Sequence, residues 1–275
     1  MKLSTEIQSI SRIVGMEQAV ELCARAGFDG WDFSMFDLYR RGWSAGEYLR
    51  FARELKQIGL DNGIVCSQSH APHPVCDSGV RGFLERAIEC TAEAGGIICV
   101  IHPDDNRTPE QNAGMYLELL PVAKGCGVKI ATENMWNWDD EKDQSAFAAC
   151  ATAESFLRHI DLVNDPDLVA CLDIGHAEMR GSGEGAAKML RALGHRVQAL
   201  HIHDNDCHHD CHQLPFSMDI DFHGVVDALR EIGYPGWFTL EAYRYLEGHT
   251  AENVFDGVKK LRESAARVEE AFLRK

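Results

Sequence analysis

The chain has 275 residues, 45% of them hydrophobic and 25% charged, which is the balance of a folded globular protein and excludes disordered or collagen-like classes. Its 43 acidic residues against 27 basic ones leave a formal charge of −16. That disfavours a nucleic-acid partner, because binding to phosphates draws most of its affinity from Lys and Arg. No stretch approaches the roughly 18 apolar residues of a membrane span, and the opening MKLSTEIQSI has no long apolar segment after a basic start. A cytoplasmic protein without membrane association is therefore expected. The ten cysteines are scattered, several inside apolar runs such as IICVI and LVACLDI, and read as small buried hydrophobes, not as a disulfide framework. Cys207-x-x-x-Cys211 lacks the spacing of a standard zinc knuckle.

From the start, short β-like runs alternate with helix-period segments and no composition break marks a linker, so one domain over 1–275 is expected. Strands are predicted near Leu3–Ile7, Gly30–Phe33, Ile64–Ser69 and Ile97–Ile101. The helices between and after them run from Met16 to Arg25, Ala45 to Ile58, Gly79 to Ala94, and from Thr108, with Pro109 in its first turn, to near Gly125. The second half repeats the plan. Strands are predicted at Val128–Thr132, Leu168–Leu172, Val197–His203 and Trp237–Leu240, and helices at Ala146–Ile160, Gly185–Leu193, Phe222–Ile232 and Asn253–Phe272, with the aromatic, acidic loop MWNWDDEKD before the first of these. Eight strand-helix units in a chain of this length predict an α/β fold of the (β/α)8, or TIM barrel, kind.

His70, His102, Glu133, Asp173, His201 and Glu241 each fall at or just past the C-terminal end of a predicted strand. That rim is where such barrels carry their active sites, and residues there converge on one axis. Around His201 the sequence ALHIHDNDCHHDCH concentrates five of the 13 histidines and three aspartates. His201 and His203 lie two apart and share one strand face. Imidazole and carboxylate on a shared rim are the usual nitrogen and oxygen ligands of a divalent ion.

The motifs SHAP, IHP, TEN, LDIGH, LHIHDN, D-x-H-x-x-P and TLE, in this order from His70 to Glu241, resemble those of the xylose isomerase-like barrel superfamily. That superfamily holds sugar isomerases and epimerases, inosose dehydratases and the trinuclear-zinc apurinic/apyrimidinic endonucleases. The resemblance to its ketose epimerases implies a metal held by Glu133, Asp173, His201 and Glu241. His201 is preferred to His203 because Asp204 follows it by three. The resemblance to the endonucleases implies nine ligands, the same four together with His70, His102, His176, Asp210 and His212, and a pocket for two or three ions. The segment QLPFSMDIDF after D-x-H-x-x-P lacks the glycine common there in the family.

On this reading the leading expectation is a divalent-metal-dependent isomerase or epimerase of a small polyhydroxy carbonyl compound. Glu133 and Glu241 are its acid/base pair across an enediolate. Three carboxylates and one imidazole suit Mn²⁺, Mg²⁺ or Co²⁺, while the extra histidines suit Zn²⁺. His176, His203, Arg180 and Trp136 are candidate substrate contacts, with Arg244 as a second cation for a carboxylate or phosphate. Trp138, Phe33 and Phe36 are further candidates for an apolar wall. An inosose-type dehydratase and a multinuclear phosphodiester hydrolase are the alternative activities, and association with further copies of the chain is left open.

Overall fold

The computed structural model of the protein describes residues 1–274. It is a TIM barrel. In chain order the first half comprises β1 (Lys2–Thr5), α1 (Gln8–Val14), α2 (Met16–Ala26), β2 (Gly30–Ser34), α3 (Ala45–Asp61), β3 (Val65–His70), α4 (Ser78–Arg81), α5 (Leu84–Ala94), β4 (Ile98–Val100) and α6 (Pro109–Cys126). There follow β5 (Lys129–Glu133), β6 (Asn137–Asp139), β7 (Gln144–Ala146), α7 (Ala153–Val163), β8 (Leu168–Asp173), α8 (Ile174–Glu178), α9 (Ala186–Leu193), β9 (Val197–His201), α10 (Phe222–Glu231), β10 (Trp237–Leu240) and α11 (Val254–Leu273).

Strands β2, β3, β4, β5, β8 and β9 form one parallel sheet in that order, and β1 pairs in parallel with β10. Bridges Glu6↔Asp32 and Ile202↔Leu240 close the two seams, so eight parallel strands ring a single axis. Local sequence explains the helix ends. Ser44 and Glu47 form a capping box at the start of α3, Thr108 and Gln111 another at α6 beside Pro109, and Gly27, at φ 90°, terminates α2.

Three expectations are corrected. The helix read over Gly79–Ala94 is two helices broken at Gly82 and Phe83. The helix expected from Ala146 starts only at Ala153, after the Thr152 cap, because Ala146 belongs to the antiparallel β6–β7 hairpin and Cys150 takes φ 60°. The strand expected to reach His203 ends at His201.

The strand period of two positions the site. Ala131, Cys171 and Ala199 are buried in a small apolar cluster with Ile98, Val100 and Val169. Glu133, Asp173 and His201 lie two residues further along the same strands, and His102 follows Val100 in the same way. They therefore form the layer above an apolar plug, on the same inward face. On the opposite wall the lower layer is polar: the Ser4 and Thr239 hydroxyls are 2.8 Å apart, and Thr239 Oγ1 donates to Gln68 at 3.3 Å, beneath Glu241 and His70.

Candidate metal centre

Glu133 joins two histidine clusters. Its Oε1 lies 2.8 Å from His201 Nδ1, and its Oε2 lies 3.1 Å from His102 Nε2 and 3.5 Å from His70 Nε2. Glu241 Oε2 is 3.8 Å from His201 Nδ1 and also 3.8 Å from His212 Nδ1. Asp173 Oδ1 sits 3.1 Å from His203 Nε2, and Asp210 Oδ2 lies 2.8 Å from His212 Nε2. Among the buried groups that result, with ligand atoms within 4.8 Å of one another, three together take in every expected ligand and His203: His70, His102 and Glu133; Glu133, Asp173, His201 and Glu241; and His176, His203, Asp210 and His212.

Two features fit these groups to cations. First, Glu133 Oε2, His102 Nε2, Asp173 Oδ2 and Asp210 Oδ1 are buried without a hydrogen-bond partner, Glu133 and His102 being close but not aligned for one. Buried lone pairs left this way are costly unless a cation meets them. Second, His70, His176 and His212 each turn Nδ1 to a backbone carbonyl, of Ala71 at 2.7 Å, Asn134 at 2.9 Å and Glu241 at 2.7 Å. With Nδ1 turned outward to a carbonyl, Nε2 is the nitrogen that faces the clusters, the arrangement that orients metal-binding imidazoles.

The two glutamates are driven in opposite directions. Burial raises the Glu133 carboxyl, but His201 and His102 outweigh it and hold it well below the usual range. Burial pushes Glu241 well above, and the charges of Glu133 and Asp173 add to that against His201. His176 and His201 are lowered by burial yet end well above the ordinary imidazole value, His176 through Asp173 and Asp210, His201 through its acidic surroundings including Glu133 and Glu241.

A cavity of about 420 Å³ opens over this floor, a volume in the range of small-molecule sites. His70, His102, Glu133, His176, Asp210, His212, Glu241 and Trp136 line it, as does Phe36. Asp173 and His201 lie beneath, fully buried. His203 is fully buried too, its ring stacked on His212 at 3.8 Å, so it belongs with the ligand groups and does not face the cavity as a substrate contact. Arg180 is likewise absent from the lining. It is exposed, and its backbone is tied to Ser145 and Cys207. Phe33 is a core residue against Trp31, and Trp138 stacks on His209 away from the cavity.

The sequence reading passed over several residues. Asn134 Nδ2 donates to the Asp173 carbonyl at 2.9 Å, and the Asp173 amide donates back to Asn134 Oδ1 at 2.8 Å, which locks two ligand strands in register. Asp32 is buried with Oδ2 3.8 Å from His201 Nε2, on the side away from the ligands. His73 lines the cavity beside His70 and His102, its ring centroid 5.9 and 4.9 Å from theirs. Asp204 accepts from the amides of Asn205, Ser217, Met218 and Ile220 at 2.8–3.1 Å, and so serves the loop and not the ligand groups. Those four bonds, with Phe216 at φ 64°, shape the glycine-free loop.

The chain belongs to the xylose isomerase-like TIM barrel family, whose model matches residues 20–269. An uncharacterized protein of Methanocaldococcus jannaschii is 29% identical over 171 residues, 59% of this chain and 55% of that one. The chain spans about half the length of the curated relatives it matches. Among solved structures, a D-tagatose 3-epimerase-like protein is similar at a TM-score of 0.71 and 23% identity, over 98% of this chain and 99% of that one. The 3-keto-D-glucoside 4-epimerase of E. coli is similar at a TM-score of 0.71 and 18% identity, over 98% and 99%. Among the described residues no helix is long and apolar enough to cross a membrane.

Proposed function

We propose that the protein is a divalent-metal-dependent isomerase or epimerase of a small polyhydroxy carbonyl compound. The observation that carries this is the pair Glu133 and Glu241: both line the cavity, and both approach His201 Nδ1, at 2.8 and 3.8 Å. Two carboxyl groups facing one pocket, one to take a proton and one to return it, are what moving a proton beside a carbonyl requires. Glu133, Asp173, His201 and Glu241 would hold the ion, which supplies Lewis-acid stabilisation of negative charge on adjacent substrate oxygens. In this arrangement Glu133 takes the carbon-bound proton, Glu241 returns one, His176 and His73 meet substrate hydroxyls, and Trp136 and Phe36 cover the C–H face. Likeness to a D-tagatose 3-epimerase-like protein and to a 3-keto-D-glucoside 4-epimerase supports the reaction class and leaves the substrate to experiment. Incubation of candidate ketoses and sugar acids with the metal-loaded protein in D₂O is the test.

The group His176, His203, Asp210 and His212 favours a second reading, a multinuclear phosphodiester hydrolase. Its nitrogen-rich donors suit Zn²⁺. Against it stands the charge of −16, which repels a polyanion. Two or three ions per chain by elemental analysis, together with metal-dependent nicking of DNA containing an abasic site, would establish the hydrolase. A single ion and intact DNA leave the isomerase.

A further inference from the structure

The cavity mouth carries a positive patch that neither the acid/base pair nor the ligand groups use. Among the described residues lining it, Arg12 and Arg244 are the only lysines or arginines, above a floor of carboxylates. They sit on adjoining elements, since α1 packs on the 3₁₀ turn Tyr243–Leu246. Arg12 is braced: Asp37 Oδ2 accepts from its guanidinium at 3.1 Å and from Gln8 Nε2 at 2.9 Å. No carboxylate among the described residues lies within 4 Å of the Arg244 guanidinium. Gln8 lines the same wall, is 5% exposed, and its Oε1 has no hydrogen-bond partner. A buried acceptor without a donor is costly unless a ligand hydroxyl meets it.

We infer that this wall is an anion subsite and that the substrate is an anionic sugar, bearing a phosphate or carboxylate on the end remote from the reacting carbon. Arg244 and the braced Arg12 receive the anion, and Gln8 Oε1 accepts from a neighbouring hydroxyl. Guanidinium is the side chain best matched to such oxygens, by paired charge-assisted hydrogen bonds. Two cations at this mouth also offset the acidic field that would otherwise keep an anion out. The inference rests on the isomerase reading for the word sugar, but the subsite itself does not.

The test has two arms. Inorganic phosphate is titrated into chelator-treated protein at low ionic strength, for wild type, Arg12→Gln, Arg244→Gln and, as a charge-matched control on the outer face of α3, Arg53→Gln. Each mouth variant is expected to weaken phosphate by about 10- to 100-fold, the usual worth of a charge-assisted hydrogen bond, and the control to match wild type. In the second arm ketoses, their terminal phosphates and the related sugar acids are compared in D₂O with metal-loaded protein. The ratio of kcat/KM for the anionic over the neutral sugar is expected to exceed about 10 and to fall by a similar factor in Arg244→Gln. Whichever of phosphate or carboxylate shows the larger ratio identifies the anion. Equal phosphate affinity in all four proteins, or a neutral ketose turned over as well as both its phosphate and the related sugar acid, overturns the subsite. Phosphate binding that depends on the arginines, with no deuterium in any sugar, keeps the subsite and discards the isomerase.

Discussion

Asn134 and Asp173 hold each other by two reciprocal hydrogen bonds, side-chain amide to backbone carbonyl at 2.9 Å and backbone amide to side-chain carbonyl at 2.8 Å, across the β5 and β8 strand ends. The Asn134 carbonyl also receives His176 Nδ1 at 2.9 Å. One asparagine thus fixes Glu133, Asp173 and His176 relative to one another. Asn134→Ala removes both bonds and leaves a buried amide and a buried carbonyl unpaired. Stability is expected to fall by about 2–4 kcal/mol, with weaker metal retention. Denaturant titration and elemental analysis on the same samples check both. An unchanged midpoint would mean that the clamp contributes nothing.

Gly175 is a second point of leverage. A Cβ there would lie 1.9 Å from His203 Cε1, and His203 is fully buried between Asp173 and His212. Gly175→Ala must push that imidazole off Asp173. The expected outcome is a cost of about 1–3 kcal/mol from overpacking, together with weaker metal retention through the disturbed Asp173. A variant with native stability and native metal content would contradict the packing described.

Ion binding is expected to release protons. His201 holds its proton above the ordinary imidazole value, as His176 does, and an imidazole ligand such as His201 must be neutral, so affinity should climb as pH rises. Calorimetry in two buffers of different ionisation enthalpy counts the protons. A release of one or more per ion is expected at pH ~7, and none would contradict it. The same shifts give the metal-free protein stability that is complete below the unfolded imidazole value of about 6.5 and fades as pH climbs through the raised ones. Glu133, held low, adds stability present above its unfolded value of about 4.3 and lost as pH falls through its depressed one.

The parts of the site that the sequence made legible are those that follow from period two along a strand. An apolar run ending in His, Glu or Asp places that side chain on the rim, and for His102, Glu133, Asp173 and His201 the side chain above the plug is the one two residues beyond a buried Val, Ala or Cys. Partners set by tertiary contact were not legible. Asp204 sits in the same histidine-rich run as Asp210, yet it satisfies four loop amides, and nothing local distinguishes the two. Asn134 and Asp32 act across strands 39 and 169 positions away in sequence, at Asp173 and His201. The β6–β7 hairpin, at three residues a strand, is too short for a period to declare itself, and the alanines beyond it imitate a helix.

The two glutamates should differ from the other ligands in what their loss does. Asp173→Ala or His201→Ala should empty the site. Glu133→Gln or Glu241→Gln keeps the shape and one coordinating oxygen, and should retain much of the metal while turnover falls by about 10²- to 10⁴-fold, the usual worth of a positioned acid or base. Metal content and turnover measured on the same preparations separate these effects, and Gln variants as active as wild type would remove both residues from proton transfer.

The most direct test of the central claim is isotopic. Metal-loaded wild-type protein, given ketoses, inososes, sugar acids and their phosphates in D₂O, should place solvent deuterium on one carbon of the product, because an enediolate takes its returning proton from a carboxyl that exchanges with water. Turnover with no deuterium at carbon would point to hydride transfer or hydrolysis, and the assignment of Glu133 and Glu241 as an acid/base pair would be wrong.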